Sequence, residues 1–347
     1  MQGSFPWPRS IALVRITCMP MGFPETRMRR LRRSAVLREM LAESKLTVKD
    51  LVAPLFVREG IDTPQPIASL PGVAQHTVES LVKEARRLSG AGVPALVLFG
   101  VPAQKDGEGT QAWSPDGIVQ VALSSLRDEL GSQMVLMADL CLDEYTDHGH
   151  CGVLDAQGEV DNDKTLALYA RVALAQAKAG ADIVAPSGMM DGQVAAIRSA
   201  LDGEGYEQVG ILAYAAKFAS ALYGPFRDAV DVTIAGGGDR KGYQQDPRNL
   251  REALREVELD VAEGADMVMV KPAVAYLDVI AAVRQAVRVP VAAYHVSGEY
   301  AMVKAAAERG WLDGSAVALE QLGAVKRAGA DFVLTYFAGE VADLLGA

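Results

Sequence analysis

Apolar and polar residues follow one another along this chain in two recurring blocks. A segment with a helical apolar period ends in a small-residue turn, and a short unbroken apolar run comes next. LSGAGVPALVLFG (88–100), AKAGADIVAPS (177–187), AEGADMVMVKP (262–272) and KRAGADFVLTYF (326–337) all read this way. In each, a glycine can close the helix in a left-handed conformation. The run that follows has the continuous apolar character of a strand buried on both faces. VAPLFV from Val52, MVLMADL from Met134, VGILAYAA from Val209 and PVAAYHV from Pro290 supply four more such runs. Predicted strand starts therefore fall near 52, 95, 134, 182, 209, 267, 290 and 332. Helical patterns such as TLALYARVALAQAKAG (165–180) fit most of the gaps, whereas 229–250 is glycine-rich and polar.

Strands alternating with helices over one domain's length predict an α/β fold, a (β/α)8 TIM barrel spanning 46–347. A doubly wound open sheet is the alternative that the pattern alone leaves open. Residues 1–45 stand outside the repeat as an extended or helical N-terminal arm. Its FPETRMRRLRRSAVLREM (23–40) is basic in an otherwise acidic chain. That stretch reads either as a solvated helix or as an arm that docks on an acidic neighbouring subunit. The first ~22 residues read either as a poorly ordered extension or as a misplaced start.

Composition narrows the function classes. Half of the 347 residues are hydrophobic and 22% are charged, which supplies a large core. A net charge of -10 argues against nucleic acid and against an anionic membrane surface as partners. No apolar run reaches the roughly 18 to 20 residues that span a bilayer, and the N-terminus lacks a signal-peptide pattern. Three cysteines are too few for a disulfide framework, which predicts a reducing, cytoplasmic setting.

In a barrel of this kind, reactive groups come from the C-terminal ends of the strands and the loops after them. Asp139 and Cys141 end the third predicted strand and Ser187 the fourth; Lys217 follows the fifth and Lys271 ends the sixth. Ser297 lies near the end of the seventh, and the eighth contains Tyr336. A lysine closing a buried strand holds its ammonium in a poorly solvated place, so its pKa falls and the neutral amine can attack a carbonyl. The rival reading is a lysine that snorkels to the rim. Two such lysines at one mouth are expected to depress each other's pKa. Arg227 and Arg240 follow on the 226–247 segment, where an arginine fork can grip a carboxylate. GGGDR within it suggests a closing lid, or alternatively a phosphate cradle.

CLDEYTDHGHC (141–151) concentrates metal-ligand chemistry. Cys141, Asp143 and Cys151 can converge on Zn²⁺ if the loop folds back through Gly149 and Gly152. Asp143 hardens the set, which leaves Mg²⁺ open. His148 and His150 are alternative ligands or acid/base groups.

Together these segments resemble the porphobilinogen synthase (δ-aminolevulinic acid dehydratase) family. GADMVMVKPAVAY, KFASALYGPFRDA, GDRKGYQ, APSGMMDG, YHVSGEYAM and DFVLTYFA carry the resemblance, from about Phe23 to near the C-terminus. It implies condensation of two 5-aminolevulinate molecules to porphobilinogen with loss of two waters, in tetrapyrrole (heme) synthesis. Lys271 would form the Schiff base with the substrate that becomes the propionate side, whose carboxylate Ser297 and Tyr336 would bind. Lys217 would hold the second substrate, with Arg227 and Arg240 on its carboxylate. Asp139 is placed with the lysines as a catalytic residue and Ser187 as a substrate contact. Family members that use zinc carry Cys-x-Cys-x7-Cys, and magnesium-type members carry aspartates; Cys141, Asp143 and Cys151 form a hybrid. Glu256 matches a position that binds an activating Mg²⁺, and Gly188 and Gln193 depart from the frequent APSDMMDGR. The family uses a divalent metal and no organic cofactor, and it commonly forms octamers through the arm. A class I aldolase, which uses one lysine, and a non-enzymatic metal-binding scaffold are the competing expectations.

Overall fold

The computed structural model describes residues 22–346 of the chain. The expectation for the first ~22 residues falls, apart from Gly22, outside the described residues. The chain divides into two units, 1–43 and 44–347. The described part of the smaller unit holds a 3-10 turn, Met28–Arg32, and a short helix, Ala35–Met40. Ser34 caps that helix by accepting from Leu37 N–H, and neither segment has a buried residue.

The larger unit is a closed parallel barrel. Its strands are β1 (Leu51–Arg58), β2 (Ala95–Val101), β3 (Val135–Leu140), β4 (Ile183–Pro186), β5 (Gly210–Lys217), β6 (Met267–Lys271), β7 (Val291–His295) and β8 (Phe332–Thr335). They pair in sequence order, and β8 closes on β1 through Leu51↔Val333 and Val52↔Leu334. Closure rules out the open doubly wound sheet. Every predicted strand start lies within a residue of the observed one, because a strand buried on both faces needs an unbroken apolar run. β2 is buried throughout. Two very short strands escaped the sequence reading, Gln65–Pro66 and Ala74–His76, which pair antiparallel beside β1. Two or three residues are too few to show a period.

Helices α1 (Val78–Gly90), α2 (Ile118–Leu130), α3 (Asn162–Lys178), α4 (Gln193–Gly203), α5 (Leu250–Ala262) and α6 (Leu277–Ala286) cross between successive strands. Two helices, α7 (Ser297–Glu308) and α8 (Gly314–Ala328), separate β7 from β8, and α9 (Ala338–Gly346) follows β8. α3 shows how local signals set these elements. The Asp161 carboxylate accepts from Lys164 N–H at its N-terminus, a cap that contributes about 1 kcal/mol. Thr165, Tyr169, Val172, Ala173 and Gln176 then recur at helical spacing and are the buried face. Among the described residues, no helix is long and apolar enough to cross a membrane.

Candidate active site

β5 and β6 each end in a lysine, and the two lysines are register partners across the ladder. Adjacent parallel strands put side chains of partnered residues on the same side of the sheet. Lys217 and Lys271 accordingly line one cavity of about 340 Å³. Arg227, Arg240, Tyr223, Phe226, Ser220 and Gln244 contribute to its walls, and Ile234, Gly238, Asp239 and Lys241 of the glycine-rich segment border it. That segment therefore forms part of the cavity wall beside the strand ends that carry the two lysines.

The two amines sit in different environments. The Lys271 Nζ lies 4.4 Å from the ring centre of Tyr294, 5.1 Å from those of Tyr214 and Phe226, and 5.3 Å from that of Tyr223. Burial among these rings, with the charge of Lys217 added, lowers its pKa from 10.5 to about 7. Lys217 goes the other way. Burial pulls its pKa down, but Cys151, Cys141 and Asp143 outweigh burial and raise it above the usual lysine value. Its ammonium donates to Ser187 C=O. The expectation of mutual depression thus holds for one lysine only, because negative groups gather beside the other.

Asp139, at the end of β3, accepts from the Ser187 hydroxyl at 3.0 Å. Burial raises its pKa to about 6 against the pull of Lys217 and Lys271. Asp139 and Ser187 are buried, and neither borders the lysine cavity. Ser297 lies behind Phe226, which does, whereas Tyr336 meets Tyr294, which does not line that cavity. The Ser297 hydroxyl accepts from Phe226 N–H at 3.0 Å and donates to Leu222 C=O. The Tyr336 hydroxyl meets that of Tyr294 at 3.1 Å. Arg227 is exposed at the cavity wall. Arg240 is committed to Asp143, at 2.8 Å, and to Gly149 C=O, at 2.9 Å.

Cys141, Asp143 and Cys151 converge, with one donor atom from each within 4.8 Å of the others, all buried. Burial pushes the Cys141 thiol well above its usual value. Cys151 is held below its own: burial opposes ionisation, but the hydrogen bond from Cys141 and the Arg240 charge prevail. Asp143 is likewise buried, yet Arg240 and Lys217 hold its carboxyl well below the usual range. Two sulfurs and an ionised carboxylate suit a divalent cation. The histidines of the loop turn elsewhere. His148 Nδ1 accepts from His150 N–H and its Nε2 meets Gly107 C=O, while His150 Nδ1 meets the Tyr243 hydroxyl.

Glu256 lies far along the chain on α5, half-buried beside a second cavity of about 890 Å³ that Asp191, Glu252 and Glu263 also line. Burial and then those three carboxylates raise its pKa to about 7. Gln193 is buried, and its side-chain oxygen accepts from Met190 N–H.

Several residues escaped the sequence reading. The aromatic cage of Lys271 draws on β5, β7 and the 221–229 segment, and nothing local marks its members. Glu144 is buried beside Asp143, and among the described residues neither of its carboxylate oxygens has a hydrogen-bond partner. Burial and the neighbouring Asp143 and Asp139 raise its pKa well above normal. Its place in CLDEYTDHGHC was the one available signal.

Comparison with known proteins bears on the whole chain. The family model described as Delta-aminolevulinic acid dehydratase matches residues 25–344. The delta-aminolevulinic acid dehydratase of Streptomyces coelicolor is 58% identical over 325 residues, covering 93% of this chain and 98% of that protein. The Mycobacterium tuberculosis (H37Rv) protein of the same name shows the same identity and coverage. The crystal structure of the Toxoplasma gondii ME49 enzyme, solved with its reaction product porphobilinogen, superimposes with a TM-score of 0.90 at 45% identity, covering 92% of this chain and 91% of that one. On these matches and on its closed barrel, the chain belongs to the delta-aminolevulinic acid dehydratase (porphobilinogen synthase) family.

Proposed function

We propose that this protein is a porphobilinogen synthase, a lyase of heme synthesis that joins two 5-aminolevulinate molecules into porphobilinogen and releases two waters. The observation that carries the reading is the pair of register-partnered lysines, Lys217 and Lys271, opening into one cavity. Two keto acids need two amine anchors, which a single-lysine aldolase does not provide, and a non-enzymatic scaffold has no use for them. Holding both substrates in one cavity turns a bimolecular step into a near-unimolecular one.

Lys271, half neutral near pH 7, attacks the ketone of the first substrate; the carbinolamine loses water and leaves a Schiff base. Lys217 carries its proton more tightly and gives it up before taking the second ketone. Asp139, with a pKa of about 6 and under the charges of both lysines, is suited to carry protons between them. Arg227 at the wall, and Arg240 when it leaves Asp143, offer forks for the second carboxylate. For the first carboxylate, Ser297 and Tyr336 would each have to exchange a present partner for substrate. Ser187 acts through Lys217, which its carbonyl holds.

Cys141, Asp143 and Cys151 would hold a divalent cation, Zn²⁺ by the two sulfurs, and such a cation supplies Lewis acidity beside the second lysine. Glu256, in a cavity lined by Asp191, Glu252 and Glu263 and also by Arg248, Arg251 and Arg255, would bind Mg²⁺ as a single protein carboxylate with water completing the coordination. Thiols that bind a cation must stay reduced, which fits a cytoplasmic protein. The arm exposes Phe23, Met28, Leu31, Val36 and Met40. Apolar groups left uncovered in one chain support assembly into homo-oligomers, octamers by family habit.

The test is incubation with 5-aminolevulinate, colorimetric assay of porphobilinogen, and borohydride trapping with peptide mapping. Adducts at Lys217 and Lys271 and formation of the pyrrole are expected. Absence of both would refute the assignment.

A further inference from the structure

The inner face of α3 carries a polar stripe through an apolar wall. Thr165, Tyr169 and Gln176 are at most 1% exposed. Each grips backbone of β3 or of the loop after it: Thr165 Oγ1 accepts from Val153 N–H, the Tyr169 hydroxyl donates to Cys151 C=O at 2.7 Å, and Gln176 donates to Asp139 C=O. Spacings of four and seven residues set the three in one line along the helix. Polar groups at such depth are costly unless paired, so the stripe is a set of specific grips on the loop that bears Cys141, Asp143 and Cys151.

Tyr169 is the member nearest the sulfurs. Besides holding the Cys151 carbonyl, its hydroxyl lies 3.8 Å from Cys141 Sγ. One phenol therefore touches both cysteines, which are ten residues apart in sequence. It reaches them through space that glycine leaves. A Cβ placed on Gly188 would stand 1.6 Å from the Tyr169 hydroxyl oxygen and 2.5 Å from Cζ, far inside any contact distance. The residue before Gly188 is Ser187, whose carbonyl receives the Lys217 ammonium, and Met189 after it has φ of 63°. That strap has little freedom to back away. Any residue other than glycine at 188 would drive the phenol off the cysteines.

We propose that Tyr169 is a positioning residue for the cation site, that its phenol sets the separation of Cys141 and Cys151, and that Gly188 exists in this chain to admit it. The proposal rests on the cation reading of Cys141, Asp143 and Cys151. It assigns to the Gly188 departure a physical purpose: space given up on the strap is taken by a ring that braces the metal loop.

The experiment uses the full chain, stripped of metal. Zn²⁺ affinity is measured by competition with a chromophoric chelator, alkylation rates of Cys141 and Cys151 are mapped by mass, and Tm is recorded. Tyr169→Phe keeps the ring and deletes one oxygen. It is expected to weaken Zn²⁺ binding about 10-fold, the usual scale for partners behind metal ligands, and to speed alkylation of the metal-free thiols, with Tm close to the parent's. Parent-like Zn²⁺ affinity and thiol rates in Tyr169→Phe would overturn the proposal. Gly188→Ala alone is expected to lose both stability and Zn²⁺ affinity. Adding Tyr169→Leu should restore the stability and not the affinity; recovery of the affinity without the phenol would also overturn it. Cys151→Ser in the parent separates the two readings. If it leaves Zn²⁺ affinity unchanged, the cation site is refuted, and the thiol rates alone decide whether Tyr169 sets the loop.

Discussion

Lys271 provides the sharpest test of the amine chemistry. An ordinary lysine, with a pKa of 10.5, is almost wholly protonated at neutral pH; in its aromatic cage next to Lys217, Lys271 falls to about 7. The neutral, nucleophilic fraction at pH 7 is then about a half, roughly 1,600 times that of a solvated lysine. Schiff-base formation in a single turnover should therefore rise about fivefold from pH 6 to pH 7, less than twofold from pH 7 to pH 8, and level off above. The assay is rapid mixing with labelled 5-aminolevulinate, a borohydride quench at set times, and mass analysis of the peptide that carries Lys271. Arginine at 217 (Lys217→Arg) keeps the neighbouring charge and removes the competing amine. A rate that climbs tenfold per pH unit up to pH 9 would refute the argument, since it would show an amine that the cage does not perturb.

The same cage costs stability in a pH-dependent way. The folded pKa of Lys271 lies below its unfolded value, so the penalty is present in full below about pH 7 and fades as pH rises towards 10.5. Lys271→Met should stabilise the protein more at pH 6 than at pH 9, by a difference of about 3 kcal/mol; parallel denaturation curves at the two pH values would contradict this. Asp143→Ala leaves the Arg240 side chain, 11% exposed, without its 4%-exposed partner. A loss of about 3–5 kcal/mol in urea unfolding is expected, and an unchanged midpoint would show that the pair carries no weight. Chelation followed by separate return of Zn²⁺ and Mg²⁺, with metal content measured, should restore turnover with Zn²⁺ through Cys141, Asp143 and Cys151. Recovery with Mg²⁺ alone, unaffected by Cys141→Ala, would place the essential ion elsewhere.

Much of the architecture was legible along the chain, because it is written in local physics. A strand covered on both faces needs an unbroken apolar run, a helix needs a period near 3.6, and glycine closes the helix between them. Lys217 and Lys271 could be seen to end two such runs, so their arrival at one rim followed from the fold class. The Cys141, Asp143 and Cys151 cluster was equally visible, since its members lie within one short loop. Other features came only with the tertiary structure. That Lys271 loses its proton readily while Lys217 holds on depends on which groups face each amine: four rings from three segments on one side, two sulfurs and a carboxylate on the other. Arg240 was read as a substrate clamp and is found paired with Asp143, nearly a hundred residues away in sequence. Nothing in the helical pattern of 165–180 singled out Tyr169, and its place became visible only when Gly188 was found beside its hydroxyl. Periodicity reports which face of an element is buried. What that face meets, and so its charge state and chemistry, is settled by contacts between residues far apart along the chain.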